Sequence, residues 1–213
     1  MIRLDLSRLH FPVTTLGPGR RIGIWVQGCT LHCPGCISAD TWTPGLGVTT
    51  VDAILQAIEP WIPGADGLTV SGGEPFEQPE ALEALLQGWR AQASGDVLIF
   101  TGFAFAEVEP WLAARPGLVD AVIAGPYRRE APQTLALRGS DNQTLHMLTD
   151  AGRAFAAYDR AARPEDRRLD VMFDAEGGAW FAGVPARGDF QRLRTALKAQ
   201  GHWVILSDRA PAS

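Results

Sequence analysis

Apolar and polar positions along the chain switch repeatedly between a period of two and a period near 3.6. After an extended N-terminal stretch and the turn-forming "LGPGR" (16–20), "RIGIWVQ" (21–27) has the β-branched and aromatic make-up of a strand. "TTVDAILQAIEPW" (49–61) moves to helical spacing: Thr49 or Thr50 can cap it, and Ile54, Leu55 and Ile58 supply an apolar stripe. "GLTV" (67–70) is a short strand running into "SGGEP". The alternation continues with a helix over 79–91, a strand over 96–102, a helix over 106–114 and a strand over 118–125. Strands and helices alternating at this length imply parallel βαβ units with right-handed crossovers. In such sheets the working loops lie beyond the carboxyl ends of the strands. The loop after residue 27, "SGGEP", "TGF" (101–103) and "AGPY" (124–127) all fall there, so segments distant in sequence should meet on one rim.

Beyond residue 149 the pattern loosens. "DAGRAFAAYDRAARPEDRRLD" (150–170) is rich in Ala, Arg and Asp and reads as a surface helix or a solvated linker. "LDVMFDAEGGAWFAGVP" (169–185) reads as two short strands joined by a Gly-Gly turn. "DFQRLRTALKAQG" (189–201) reads as a helix closed by Gly201, and "HWVIL" (202–206) as a last strand. The expected organisation is a core over 1–149 and a small α+β extension over 150–213.

Composition adds limits. A chain of 213 residues with 46% hydrophobic content suits one globular domain with a small appendage. A net charge of -5 offers no basic stripe for phosphates, because acidic residues dilute the Arg-Arg pairs at 20–21, 128–129 and 167–168. No nucleic-acid partner is expected. No apolar run reaches the ~20 residues that span a bilayer, and the N-terminus alternates instead of presenting a signal-peptide core, so a cytoplasmic protein without a membrane partner is expected. In that compartment clustered thiols read as metal-binding or redox groups before they read as disulfides.

All three cysteines fall within "QGCTLHCPGC" (27–36), with the spacing C-x3-C-x2-C at Cys29, Cys33 and Cys36. A structural zinc site usually takes four protein ligands, and the nearest fourth, His32, lies between two of the cysteines, which makes a cramped cage. An iron-sulfur cubane takes one thiolate per iron, so three cysteines leave one iron open to another ligand. A zinc knuckle remains the alternative.

The cysteine loop after the first helix-linked strand, followed by "SGGEP" after the second, resembles the radical S-adenosylmethionine (SAM) enzymes. More narrowly, "GPGRRIGIWVQGCTLHCPGCISADTW", "TGF", "VDAVIAGPY" (119–127) and "LRGSDNQ" (137–143) resemble the anaerobic ribonucleotide reductase activating proteins in order and spacing, over about residues 11–148. The resemblance implies an α/β fold, an incomplete parallel (β/α) barrel. It implies a [4Fe-4S] cluster on Cys29, Cys33 and Cys36, with SAM chelating the fourth iron. Gly72, Gly73, Glu74 and Pro75 would receive the methionine amino group, and Ser38 would stand near SAM. It also implies a flavodoxin or ferredoxin-type electron donor and a glycyl-radical enzyme as the hydrogen donor; a stand-alone enzyme acting on a small metabolite or peptide is the alternative. Two departures favour that alternative: Ser38 stands where the activases usually have Asn, and Ala124 where they have Asp before Gly-Pro or Gly-Arg.

Among other residues, Thr101 and Gly102 end a strand on the functional rim, which favours a cofactor contact. Arg138, Asn142 and Gln143 form a polar cluster near another strand end and suit either cofactor binding or a self-satisfied loop network. Trp42 reads as core, His32 as a solvated loop residue or a cluster-tuning donor, His146 as structural, and Glu107 and Glu109 as helix-surface charges. No Ser-His-Asp arrangement or phosphate-binding Walker loop is present.

Overall fold

The computed structural model describes residues 1–173 and 178–202. Its centre is one seven-stranded sheet in the order β3-β1-β2-β4-β5-β6-β7. The strands are β1 (Arg3–Val13), β2 (Arg21–Val26), β3 (Val48–Thr50), β4 (Gly67–Gly72), β5 (Asp96–Thr101), β6 (Ala121–Ala124) and β7 (Thr144–Met147). β2, β4, β5 and β6 run parallel, as the alternation requires. β1, β3 and β7 pair antiparallel at the flanks, so the sheet is parallel-rich and mixed.

Helices α1 (Val51–Ile58), α2 (Pro79–Gln92) and α3 (Phe105–Ala113) pack on one face. Leu68, Val70, Val97 and Ile99 meet Ile54, Leu82, Leu86 and Trp89 there, all fully or almost fully buried. Each apolar side chain buried in such a layer contributes about 1.5–3 kcal/mol by transfer from water. α1 is shorter than the pattern over 49–61 suggests. Thr50 caps it, accepting from the Ala53 N–H, but Pro60 and Pro63 convert Glu59–Gly64 to a 3-10 turn because proline lacks the N–H an α-helix requires.

The opposite face is covered by the C-terminal segment, and here the reading of 150–170 as surface helix or solvated linker is corrected. Ala151–Tyr158 is a 3-10 helix whose Phe155 is fully buried against Leu98, Ala121, Ile123 and Leu137. The same ring lies 5.3 Å from the guanidinium of Arg21. Arg21 is itself fully buried, bonding Thr69 Oγ1, the Leu68 carbonyl and Asp96 at 2.6–2.7 Å. A lone phenylalanine in a polar stretch is what the sheet needs to roof this cation.

The antiparallel hairpin β8 (Leu169–Phe173) and β9 (Ala179–Gly183) sits beside it. Met172 and Ala182 join Val13, Leu16 and Trp25 in a second apolar cluster, and Trp180 meets Trp25 edge-on at 5.2 Å. Asp170 fastens the hairpin by accepting from the Thr14 N–H and the hydroxyls of Thr14 and Thr15. Helix α4 (Asp189–Ala199) follows, and Gly201 (φ +85°) occupies the left-handed position after its end. The strand expected over 202–206 and most of the Gly-Gly turn lie outside the described residues. Among the described residues no helix is long and apolar enough to cross a membrane.

Candidate iron-sulfur site

The parallel strands β2, β4, β5 and β6 end at Val26, Gly72, Thr101 and Ala124, and the chain leaves each of them on the same rim. The cysteine loop is laced down from its first residues. Gly28 and Cys29 donate their backbone N–H to the Thr41 and Trp42 carbonyls at 2.8 and 3.1 Å. The buried Gln27 amide donates to the Asp40 and Thr43 carbonyls. Thr30 donates its N–H and hydroxyl to Glu77. These bonds close residues 27–43 into a compact loop.

The three cysteines are free thiols, each partly buried. Backbone N–H groups of Leu31 and His32 point at the Cys29 sulfur, and the Ser38 N–H and the Trp42 indole at that of Cys36. Burial raises both thiols above their ordinary range; Glu74 and Glu77 add to this at Cys29, and Cys33 and Cys29 at Cys36. The sulfurs are therefore within electrostatic reach of one another. Among the described residues no three His, Cys, Asp or Glu side chains converge into a ready-made metal cage. The donor set nonetheless suits an iron-sulfur cluster: three soft thiols with N–H donors aimed at two of them. His32, the nearest candidate for a fourth zinc ligand, lies with its ring stacked on Trp42 at 4.7 Å and an interplanar angle of 23°, and among the described residues it joins no metal cage with the cysteines. Trp42 accordingly belongs to the loop and not to the core.

"SGGEP" packs directly on the root of this loop. The Gly73 N–H donates to the Val26 carbonyl and the Glu74 N–H to the Gly28 carbonyl, both at 2.8 Å. A Cβ on Gly73 would stand 2.0 Å from the Gly28 carbonyl oxygen, so only glycine allows this approach. Gly72 sits at φ +101°, and Pro75 opens a short turn, Pro75–Glu77.

Glu74 is fully buried, and its carboxylate joins this turn to the end of β5. Oε1 accepts from the Thr101 hydroxyl at 2.7 Å and the Phe76 N–H at 3.0 Å; Oε2 accepts from the Gly102 N–H at 2.7 Å. Leu31 of the cysteine loop lies over Gly102, where a Cβ would come 2.3 Å from its Cδ1. Glu74, Thr101, Gly102 and the cysteine loop thus form one packed unit.

Burial pushes the Glu74 carboxyl up from an ordinary 4.5 to about 7, against the downward pull of its three donors. A carboxyl that keeps its proton to higher pH when folded makes the folded state bind more protons between pH 4.5 and 7. Stability should therefore fall as pH rises through that window, by about 3 kcal/mol. Glu74→Gln should show a smaller slope over that window, read by denaturant unfolding of the apoprotein; an unchanged slope would mean that another group carries the effect.

The third expected group, Arg138, Asn142 and Gln143, is placed differently. The buried Arg138 donates to the Ala136 and Tyr158 carbonyls and to Asp159, tying its loop to the 151–158 turn. Asn142 and Gln143 donate to the Pro126 and Gly125 carbonyls, fixing the loop after β6, and Asn142 Oδ1 is buried with no partner among the described residues. Ala124 is buried at the end of β6, between Thr101 and Thr144 on the neighbouring strands. Ser38 accepts from Thr41 through its carbonyl, beside Cys36.

Sequence reasoning passed over Gln78 and Tyr127. Gln78 accepts from the Asp5 N–H and donates to the Gln27 carbonyl, so it anchors the cysteine loop to β1. Tyr127 lies against Gly35, between the second and third cysteines.

The family described as a 4Fe-4S single cluster domain matches residues 15–146. The anaerobic ribonucleoside-triphosphate reductase-activating protein of Escherichia coli K12 is 30% identical over 149 residues, covering 65% of this chain and 96% of the relative. Its namesake in Enterobacteria phage T4 is also 30% identical, over 63% of this chain and 88% of the relative. The crystal structure of QueE from Escherichia coli matches at TM-score 0.41 and 18% identity, over 47% of this chain and 52% of that one. The chain belongs to the 4Fe-4S single cluster domain family, in the branch of the anaerobic ribonucleoside-triphosphate reductase-activating proteins.

Proposed function

We propose that this protein is a radical SAM activase that generates a glycyl radical on an anaerobic ribonucleoside-triphosphate reductase. The observation that carries the reading is the packing of three free cysteines, the Gly72–Pro75 turn and the Thr101–Gly102 strand end into one unit, in a chain that matches nearly the whole length of the E. coli activase. The core over residues 1–149 is read as an incomplete parallel barrel, open at its flanks, and 150–213 as its extension.

Cys29, Cys33 and Cys36 would hold a [4Fe-4S] cluster. When bound, such a cluster supplies an electron and an open iron for cleaving the SAM sulfonium to methionine and a 5′-deoxyadenosyl radical, which abstracts hydrogen. The chain's own contribution is placement. Gly72 and Gly73 let the turn close on the backbone of Val26 and Gly28, so the turn that would receive a ligand's amino group lies against the root of the cysteine loop. Glu74 holds that turn rigid through Thr101 and Gly102, Leu31 packs over Gly102, and Trp42 stacks on the His32 ring. Asn142, with its free carbonyl oxygen, stands at the next strand end as a candidate ligand contact. A flavodoxin or ferredoxin would donate the electron.

The test is anaerobic incubation of the reconstituted protein with SAM, a reductant and the reductase of the same organism. A SAM-dependent glycyl-radical doublet in the electron paramagnetic resonance spectrum is expected. Its absence, with SAM still consumed, would favour an enzyme acting on a small metabolite or peptide, the reading that Ser38 and Ala124 support.

A further inference from the structure

The C-terminal segment does more than roof the sheet, because it carries an arginine to the cysteine rim. After β9 the chain is pinned by Gln133, whose Nε2 donates to the Pro185 carbonyl at 2.9 Å and whose Oε1 accepts from the Arg187 N–H at 3.2 Å. Arg187 then donates to the Arg128 carbonyl at 3.2 Å, and its guanidinium stands 5.9 Å from the Tyr127 ring. The Arg128 N–H is held by Ser140 Oγ at 3.0 Å. The next residue, Arg129, lies along the cysteine loop, its Cδ 3.3 Å from where a Cβ of Gly35 would be.

Arg128, Arg129 and Arg187 are all exposed. Among the described residues none of them forms an ion pair, as is also true of Arg3, Arg20, Arg167, Arg168 and Arg194; what sets these three apart is their grouping beside the cysteine loop. Glu130 and Asp189 are the carboxylates adjoining these arginines in the chain, and Asp189 is paired with Arg192, so the patch stays positive. A chain of net charge -5 thus keeps a cationic patch beside the Cys33–Cys36 turn, assembled from two segments about 60 residues apart. Three guanidinium groups left without carboxylate partners are poised for a partner's acidic groups.

We propose that Arg128, Arg129 and Arg187 form the docking surface for an acidic one-electron carrier protein. The inference rests on the iron-sulfur reading above. The carrier loses one electron, the cluster held by the three cysteines gains it, and no bond or proton changes hands. Opposite charges steer such an encounter and accelerate it most at low ionic strength.

The experiment compares the holoprotein with an Arg129→Glu/Arg187→Glu variant under anaerobic conditions. Bleaching of the cluster chromophore is followed after mixing with reduced flavodoxin, and separately after photoreduction by a small deazaflavin. With flavodoxin the variant should be slower by about 10-fold or more at low salt, with the gap closing as salt is raised. With deazaflavin the two proteins should match, and Arg187→Lys should retain the fast flavodoxin rate. Equal flavodoxin rates at low salt would overturn the proposal. A deazaflavin-driven loss of reductase activation in the variant, with flavodoxin reduction intact, would assign the surface to the hydrogen-donor enzyme and overturn it too. A wild-type protein that takes up no iron-sulfur chromophore would remove the underlying reading, and the proposal with it.

Discussion

Gly73→Ala should reduce SAM cleavage by more than about 100-fold while leaving all three cysteines in place. The added Cβ would meet the Gly28 carbonyl oxygen at 2.0 Å. That atom is backbone, already held as acceptor of the Glu74 N–H, and it begins the cysteine loop. It cannot swing aside as a side chain would. Either the 72–75 turn or the loop root must move, and the two are the surfaces a ligand would have to bridge. Overpacking of this kind costs about 1–3 kcal/mol, a visible but survivable loss of stability. Gly117→Ala is the control: it sits at φ +78°, a backbone strain Gly73 does not carry, but its Cβ would meet nothing within 4 Å, and it lies before β6, away from the strand ends. It should cost about 1–2 kcal/mol of backbone strain and leave activity near wild type. Full activity in Gly73→Ala would show that the close approach of turn and loop is not needed.

Phe155→Ala should be the most destabilising of these substitutions, at about 3–5 kcal/mol. The ring is fully buried among Leu98, Ala121, Ile123 and Leu137, and it covers the guanidinium of the buried Arg21. Truncation leaves a cavity next to a charge whose other partners, Thr69 and Asp96, remain. A lower denaturation midpoint with an unchanged slope would report lost stability in a protein that still unfolds as one unit. A cost below about 1 kcal/mol would mean that the 151–158 turn rests on the sheet without supporting it.

These two positions also show what was and was not legible in the sequence. The cysteine spacing and "SGGEP" stand out because a cluster and a close backbone approach each demand particular residue types at fixed intervals. The parallel strands show because their apolar runs alternate with helical stripes. Phe155 does not show: with Tyr158 it is one of two aromatics among Ala, Arg and Asp, too few to set a period, and only the sheet's uncovered face decides that it is buried. The antiparallel placement of β1, β3 and β7 is equally silent, since alternation marks a strand but not its direction. Glu74, Thr101 and Gly102 were each recognisable as candidates from their motifs or rim positions. Their joining through one buried carboxylate depends on strand register across β4 and β5, which no local pattern records. Arg138 looked like a rim residue by its motif, and its burial against Asp159 follows from the turn that the composition concealed.

The proposed role of Cys29, Cys33 and Cys36 is to carry a cluster that cleaves SAM. It is tested most directly by reconstituting the protein anaerobically with iron and sulfide, adding reductant and SAM, and quantifying 5′-deoxyadenosine beside a Cys33→Ala control. Product that requires Cys33 is the expected result. Absence of both product and cluster absorbance in the wild-type protein, with zinc bound instead, would contradict it.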